Sequence, residues 1–277
     1  MKRMLAAVAI ANVGLVLSSC LMAAEKKDTT EKVFHGAAGG RLTIGNITGP
    51  ITVTAVPGND VRVVVTRTVE ARDADEMARA EREVTLESVQ EGADVRMRVK
   101  LPCDGDCCCR CGDDRRYSFR YDFRVEAPAG MALKLSTVND GNITVHGGFG
   151  DFVVNNVNGS IDMSDVVGSG DAHTVNGKVV VEFAKNPAGP SSFKSINGEL
   201  RVSFQPGLSA DVRVKTFNGE AWTDFDSTAL PAEGGHWTGK LYSRNRGTAI
   251  RIGNGGPSIN FDALNGNIYI LNLGKKS

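Results

Sequence analysis

The sequence predicts an all-β protein, a parallel β-solenoid (β-helix-like) with coils of about 18–21 residues and one short helix in its N-terminal half. Two observations predict this class. A short motif recurs at a nearly fixed period through the second half of the chain. The composition combines 32 Gly with only 9 Pro, which suits many tight turns and argues against disorder.

The repeated motif is an apolar residue, Asn-Gly, any residue, and then two apolar residues separated by one position. Its Asn-Gly pairs are Asn158-Gly159, Asn176-Gly177, Asn197-Gly198, Asn218-Gly219 and Asn265-Gly266. The first four Asn residues lie 18, 21 and 21 residues apart, whereas Asn265 follows after 47 residues. That gap leaves room for a degenerate copy around 247–252, and 138–145 resembles the unit with one inserted residue.

We interpret each Asn-Gly pair as the corner of one coil, because both residues tolerate the left-handed backbone of a tight turn. The strand after each corner should send alternate side chains inward, where stacking at about 4.8 Å would fill a narrow core. The expected inward residues are Ile161, Met163, Val179, Val181, Leu200, Val202, Ile268 and Ile270. A meander of ordinary hairpins is the alternative, since hairpins also favour Asn-Gly, but hairpins do not require one register in every copy.

The N-terminal half shows shorter alternating runs. Strands are expected at 41–44, 51–54 and 61–65, a hairpin at 84–99, and a half-buried strand at 117–125. Residues 73–83 begin with acidic side chains and contain strong helix formers, so they predict the helix.

These features together resemble the bacterial "putative adhesin" family, a domain family of unknown function. The resemblance depends on the repeated Asn-Gly units, the acidic-capped helix, the following hairpin and the closing segment Leu264 to Ile270, and it covers roughly Val33 to Leu273. It implies an exported, β-solenoid-like protein without known catalytic residues. A cysteine-rich insert at 103–114 departs from the family pattern.

The first residues predict secretion. Lys2 and Arg3 precede an apolar stretch, Leu5 to Leu17, which is shorter than the roughly 20 residues that a membrane-spanning helix needs. Leu17-Ser18-Ser19-Cys20 resembles a bacterial lipobox, so Cys20 is the predicted lipidation site and the membrane a predicted partner. Cleavage after Ala23 or Ala24 is the alternative, but it places Leu21 or Met22 where small residues are favoured.

These predictions divide the chain into four parts. We expect a signal peptide at 1–19, a tether at 20–32, an N-terminal β region at 33–132 and the repeats at 133–277, in one continuous structure. The residue after Cys20 is Leu and not Asp, which favours the outer membrane. The balance of 32 basic against 32 acidic residues, without a basic stripe, argues against a nucleic-acid partner.

The insert places Cys103, Cys107, Cys108, Cys109 and Cys111 at the tip of an expected hairpin between Val99 and Tyr117. In an oxidising compartment disulfides are the default interpretation, with one thiol left over because five is odd. The alternatives are a soft-metal site holding Zn or Cu and a redox-active tip. The spacing does not match paired C-x-x-C zinc sites, and no other cofactor is indicated.

We therefore expect a non-enzymatic envelope protein that serves as a scaffold for adhesion or for binding an envelope protein or glycan. A metal-binding or redox-responsive protein is the alternative, and a polysaccharide-active enzyme a further one. Outward positions at matching register are Asp162, Val180, Arg201, Trp222 and Tyr269, which could form a shallow polar and aromatic ligand face but contain no carboxylate pair.

Overall fold

The computed structural model describes residues 24–102, 116–230 and 247–275. The first of these ranges, with the start of the second, forms the N-terminal region. Its elements are β1 (Ala24–His35), β2 (Arg41–Gly45), β3 (Ile51–Val56), β4 (Asp60–Ala71), α1 (Ala74–Glu83), β5 (Thr85–Glu91), β6 (Asp94–Lys100) and β7 (Tyr117–Pro128).

The rest of the described chain consists of strands. They are β8 (Ala132–Thr137), β9 (Ile143–His146), β10 (Phe152–Asn158), β11 (Ile161–Val166), β12 (Gly170–Asn176), β13 (Val179–Phe183), β14 (Ser191–Asn197), β15 (Leu200–Phe204), β16 (Ala210–Asn218), β17 (Ala221–Thr223), β18 (Ser227–Ala229), β19 (Thr248–Ile252), β20 (Ser258–Asn265) and β21 (Ile268–Asn272).

These strands form two large sheets with one shared apolar core. The first sheet has the order β1-β4-β7-β3-β9-β11-β13-β15-β21-β17, and the second β18-β19-β16-β20-β14-β12-β10-β8-β2-β6-β5. Pairing is parallel from β7 to β17 in the first sheet and from β16 to β6 in the second, and the antiparallel pairs lie outside those stretches. The mostly β fold with one helix is therefore confirmed. A closed, uniformly parallel β-solenoid is not, because both sheets are mixed.

In the repeat region successive strands alternate between the two sheets, so each repeat contributes one strand to each. We call such a pair of strands a layer. The predicted register holds here, since Ile161 pairs with Val179 and Val179 with Leu200. All the expected inward residues are buried, and aromatic rings stack between layers, with Phe183 and Phe204 5.1 Å apart and Phe193 and Phe261 5.3 Å apart.

The last layer departs from chain order. β20 pairs with β14 on one side and β16 on the other, while β21 pairs in the same way with β15 and β17. The C-terminal layer (258–272), called the inserted layer below, therefore lies between two layers that precede it in the sequence. The expected degenerate copy at 247–252 was wrong, because β19 is antiparallel to β16 and forms no layer of its own.

The helix is confirmed where the sequence predicts it. The Asp73 side chain accepts a hydrogen bond from the Glu76 backbone N–H at 2.9 Å, which caps the first turn of α1. Ala80 is the buried residue of the helix, and Tyr117 donates a hydrogen bond to Glu83, so α1 packs against β4 and β7.

Two expectations about the N-terminal region were wrong. Residues 24–32 belong to β1 and not to a tether, since β1 pairs with β4 along its whole length and Arg62 lies 2.7 Å from Glu31. Their charged composition suits an edge strand that water reaches on both faces. Val99 and Tyr117 do not belong to one hairpin either, because β6 pairs with β2 and β5 in the second sheet, and β7 with β3 and β4 in the first. The hairpin at 84–99 is confirmed as β5 and β6.

Candidate functional site

The Asn residues of the repeated motif form a continuous ladder along one edge of the molecule. Each side-chain amide donates to the side-chain oxygen of the Asn one layer away, at 2.8–3.1 Å. The order is Asn139, Asn158, Asn176, Asn197, Asn265 and Asn218. These bonds link neighbouring layers and fix their register, a role that the sequence analysis did not anticipate.

The Gly residues of the motif are needed for a reason other than the expected one. Gly159 and Gly198 have positive φ angles of 158°, but Gly177, Gly219 and Gly266 do not, so a left-handed backbone is not what requires these three. A Cβ on Gly177 would lie 2.3 Å from the carbonyl oxygen of Gly159, and one on Gly198 would lie 1.9 Å from that of Gly177. The layers therefore touch backbone to backbone at every corner, which any side chain would prevent.

Buried polar side chains satisfy the carbonyl groups at these corners. Asn156 donates to Gly141 O at 2.8 Å, Thr174 to Gly159 O at 2.8 Å and Ser195 to Gly177 O at 3.0 Å. In the inserted layer Ala263 occupies the equivalent position, opposite Ser195, and carries no donor. A buried polar group that lacks its partner costs free energy, so this column matters for stability.

The outward face of the first sheet carries the predicted polar and aromatic column. Its residues pair in the order Asp162, Val180, Arg201, Tyr269, Trp222. The Tyr269 ring stacks on Trp222 with centroids 4.9 Å apart and planes 9° apart, and the Arg201 guanidinium lies 4.6 Å from its centroid. We call Arg201, Tyr269 and Trp222 the aromatic stack, and it is the candidate binding site.

Within the ranges that the structure describes, Trp222 is the last side chain of the aromatic stack. It belongs to β17, the last strand of the first sheet, so the ring face that does not contact Tyr269 is directed past the sheet edge. Trp222 is 42% exposed and borders a cleft of about 410 Å³ that is also lined by Thr216, Glu220 and Ser227. A planar ligand group could stack on this ring while it forms hydrogen bonds with the polar residues around it.

Polar contacts hold the stack in place from the side. Glu199 accepts a hydrogen bond from Arg201 Nε at 2.9 Å, which keeps the guanidinium over the ring. Asn267 donates to the Tyr269 hydroxyl at 3.4 Å, and its Oδ1 accepts from the Glu220 backbone N–H at 3.1 Å. The aromatic stack is therefore preorganised, and a ligand would not need to order it.

The second sheet shows a feature that the sequence analysis missed. The apolar residue before each Asn-Gly pair was part of the motif, yet it points outward, and Ile196, Leu264 and Phe217 are 44%, 46% and 64% exposed. They lie next to one another on β14, β20 and β16, each directly before a paired Asn. The residues directly before them are buried in two strands (Ser195 and Ala263) and half-buried in the third (Thr216), and this alternation was the available signal.

Few titratable groups in the described ranges have perturbed pKa values. Burial and the nearby Lys194 lower the pKa of His173, whose Nε2 has no hydrogen-bond partner. Between residues 24 and 275, outside 103–115 and 231–246, no group of three or more His, Cys, Asp or Glu side chains could hold a metal ion. Nor is any helix in those ranges long and apolar enough to cross a membrane.

The cysteine predictions cannot be placed on this structure. Cys20, Cys103, Cys107, Cys108, Cys109 and Cys111 all lie outside the described residues. The lipid anchor, the disulfides and the alternative Zn or Cu site therefore stay predictions.

Comparison with known proteins finds only weak similarity, and only to solved structures. No family model matches the chain, and no curated protein sequence does. Among solved structures, a "putative cell adhesion protein" from Clostridium sporogenes is 10% identical, with a TM-score of 0.41, and the match covers 89% of this chain and 100% of that one. A "putative adhesin" from Bacteroides fragilis is 8% identical, with a TM-score of 0.38, over 89% of this chain and 97% of that one.

A third structure is described differently. A "putative lipid binding protein" from Parabacteroides distasonis is 10% identical, with a TM-score of 0.33, and the match covers 89% of this chain and 96% of that one. Superpositions of this quality do not transfer a function or a binding site.

Proposed function

We propose that this chain is a non-enzymatic, exported envelope protein that binds an envelope glycan through the aromatic stack on the outer face of its first sheet. The repeat layers act as a solenoid-like scaffold that holds this face rigid. The proposal includes a lipid anchor at Cys20, which would attach the protein to the outer membrane. The observation that carries the binding function is the Arg201–Tyr269–Trp222 stack with one open aromatic face.

The chemistry of the aromatic stack suits a sugar. Exposed aromatic rings offer a flat apolar surface to the C–H face of a pyranose ring, and nearby charged and amide groups can bond its hydroxyls. Trp, Tyr and Arg are also the residue types that contribute most to binding energy at interfaces. Trp222 supplies the open ring, while Glu220 and Thr216 in the adjoining cleft supply hydrogen-bonding groups.

Rigidity favours binding over catalysis at this place. Each ring of the stack is held by a β-strand that pairs in register with its neighbour, so little side-chain entropy is lost when a ligand binds. Asp162 is the one carboxylate among the five outward positions, and the apolar residue Val180 lies between it and Arg201. A glycosidase needs two converging carboxyl groups, which this column does not supply.

A binding experiment with a matched control tests the proposal. Purified wild-type chain, Trp222→Ala and Phe217→Ala are incubated with insoluble peptidoglycan and with a panel of soluble bacterial envelope glycans. We expect retention of the wild type and an affinity about fivefold to thirtyfold lower in Trp222→Ala, since stacking on an aromatic ring is worth roughly 1–2 kcal/mol.

Phe217→Ala is the control because it removes an exposed aromatic ring from the other sheet. It should bind as the wild type does. Equal loss in both variants, or no retention of the wild type on any glycan, would refute a glycan-binding site at the aromatic stack.

A further inference from the structure

The inserted layer separates two layers that follow each other in the sequence. After β15 the chain does not place its next strand on β14 and β15 but one layer further on, as β16 and β17. Residues 258–272 then form the layer between these two. Both strands of layer 191–204 and both strands of layer 210–223 pair with the inserted layer, on its two sides.

We call the space between layers 191–204 and 210–223, which the inserted layer fills, the seat. Both of its sides pair with the inserted layer. On one side the backbone N–H groups of Gly198 and Leu200 donate to Asn265 O and Asn267 O, at 3.0 and 2.9 Å. On the other side Gly266 and Ile268 donate to Asn218 O and Glu220 O, also at 3.0 and 2.9 Å. The inserted layer therefore extends the strand edges of both neighbouring layers, which is β-strand addition at two edges at once.

Side chains of the inserted layer fill the seat as well. Ile259, Phe261, Ala263, Ile268 and Ile270 are all buried. The Asn265 side chain donates to Asn197 and accepts from Asn218, at 2.8 Å in both cases. The inserted layer thus continues the core and the Asn ladder without a break.

The connection to the inserted layer is long and attached elsewhere. Between Thr223 and Ser258 the described strands β18 and β19 pair with each other, and β19 pairs with β16, so neither touches the seat. Gly253, Gly255 and Gly256, all with positive φ, lie shortly before Ser258 and are followed by Pro257. Exchange of residues 258–272 would therefore break only the pairs that they make with β14, β15, β16 and β17.

We propose that the seat between layers 191–204 and 210–223 is a binding site for residues 258–272 of a second copy of this chain. In a single chain the long connection keeps its own segment at a high effective concentration, so the closed form dominates in dilute solution. At high local concentration, two copies can exchange these segments and become linked, because every contact of the closed form is then recreated between copies. The exchange does not require a glycan, but the exchanged segment carries Tyr269, so each aromatic stack of a linked pair would contain one ring from the other copy.

Exchange of a labelled peptide tests the proposal. A protease recognition sequence is introduced within residues 231–246 of the full chain, which is then cleaved after purification. A fluorescent peptide of residues 247–275 is added, and its incorporation is followed by anisotropy and by size-exclusion chromatography. We expect the peptide to replace the native fragment in the cleaved protein and to enter the uncut chain far more slowly.

Two variant peptides make the result specific. In Gly266→Val the side chain would meet Gly198 O, which lies only 2.1 Å from a Cβ placed there, so incorporation should fall about tenfold to hundredfold. Leu264→Ala changes an exposed residue and should enter as the wild type does. Entry of the wild-type and Leu264→Ala peptides but not of Gly266→Val supports the proposal. Failure of the wild-type peptide to enter, or equal entry of Gly266→Val, overturns it.

The uncut chain provides a second measurement. Light scattering over a wide concentration range should show dimers that form slowly at high concentration and persist on dilution. A chain that stays monomeric at every concentration, also after partial unfolding and refolding at high concentration, would overturn exchange between copies.

Discussion

Replacing one corner glycine should destabilise the protein strongly although it adds only a methyl group. In Gly177→Ala the new Cβ would lie 2.3 Å from Gly159 O and 2.6 Å from Gly159 C, which are backbone atoms that cannot rotate away. The two layers must therefore separate locally. That movement strains the hydrogen bonds Gly159 N–H to Asn176 O and Gly177 N–H to Asn197 O, 2.9 and 3.0 Å long.

The size of the effect follows from these contacts. Each of the two hydrogen bonds is worth about 1 kcal/mol net, and a backbone displacement in a packed core costs about 1–3 kcal/mol more, so we expect a loss of about 3–5 kcal/mol in the free energy of unfolding if both bonds are lost. Urea denaturation followed by far-ultraviolet circular dichroism measures this loss. The change should appear as a lower midpoint with an unchanged slope.

Gly148→Ala is the matched control. Its Cβ would have Val167 side-chain atoms as nearest neighbours, 3.7 Å away, and its φ is not positive. Without a clash, Ala reduces the entropy of the unfolded chain and should be neutral or stabilise by up to about 1 kcal/mol. If Gly177→Ala were as stable as Gly148→Ala, the backbone contact between layers would not exist as described.

Three further predictions concern the columns within the layers. Asn176→Ala should lower the free energy of unfolding by about 1–2 kcal/mol, because it removes one rung of the Asn ladder, and urea denaturation checks it. Ala263→Ser places a donor near Gly198 O and should raise the free energy of unfolding by up to about 1 kcal/mol, whereas a lower melting temperature would show that this carbonyl needs no partner. The pKa of His173 is lowered by burial from its ordinary 6.5, so the unfolded chain binds the proton more readily. The stabilisation by neutral His173 should therefore be complete above pH 6.5 and decline as the pH falls below it, and His173→Gln should show a smaller decline in unfolding experiments between pH 8 and pH 5.

Much of the repeat architecture could be predicted from the sequence because each layer repeats the same constraint. Ile161, Val179 and Leu200 hold equal places relative to an Asn-Gly pair, and parallel strands in one register are the arrangement that buries them all. The outward column, with Arg201 and Trp222, followed from the same alternation. Helix α1 was predicted from its own residues, since a capping Asp and helix-forming side chains act locally.

The order of the layers could not be read from the motif. Asn218 and Asn265 both belong to an Asn-Gly motif and to the Asn ladder. The sequence alone therefore does not show which of them lies next to Asn197. The reason for the corner glycines was also hidden, since a left-handed turn and a close backbone contact both require Gly. β1 was missed because edge strands tolerate charged residues that otherwise indicate a tether.

The order of the Asn ladder tests the central claim, that the repeats stack in register with the C-terminal layer inserted. Nuclear Overhauser spectra of the chain labelled selectively at Asn would show which side-chain amides are neighbours. We predict cross-peaks from Asn265 to both Asn197 and Asn218, and none between Asn197 and Asn218, which lie two layers or about 9.6 Å apart. A direct cross-peak between Asn197 and Asn218, with none from Asn265 to Asn197, would contradict the account.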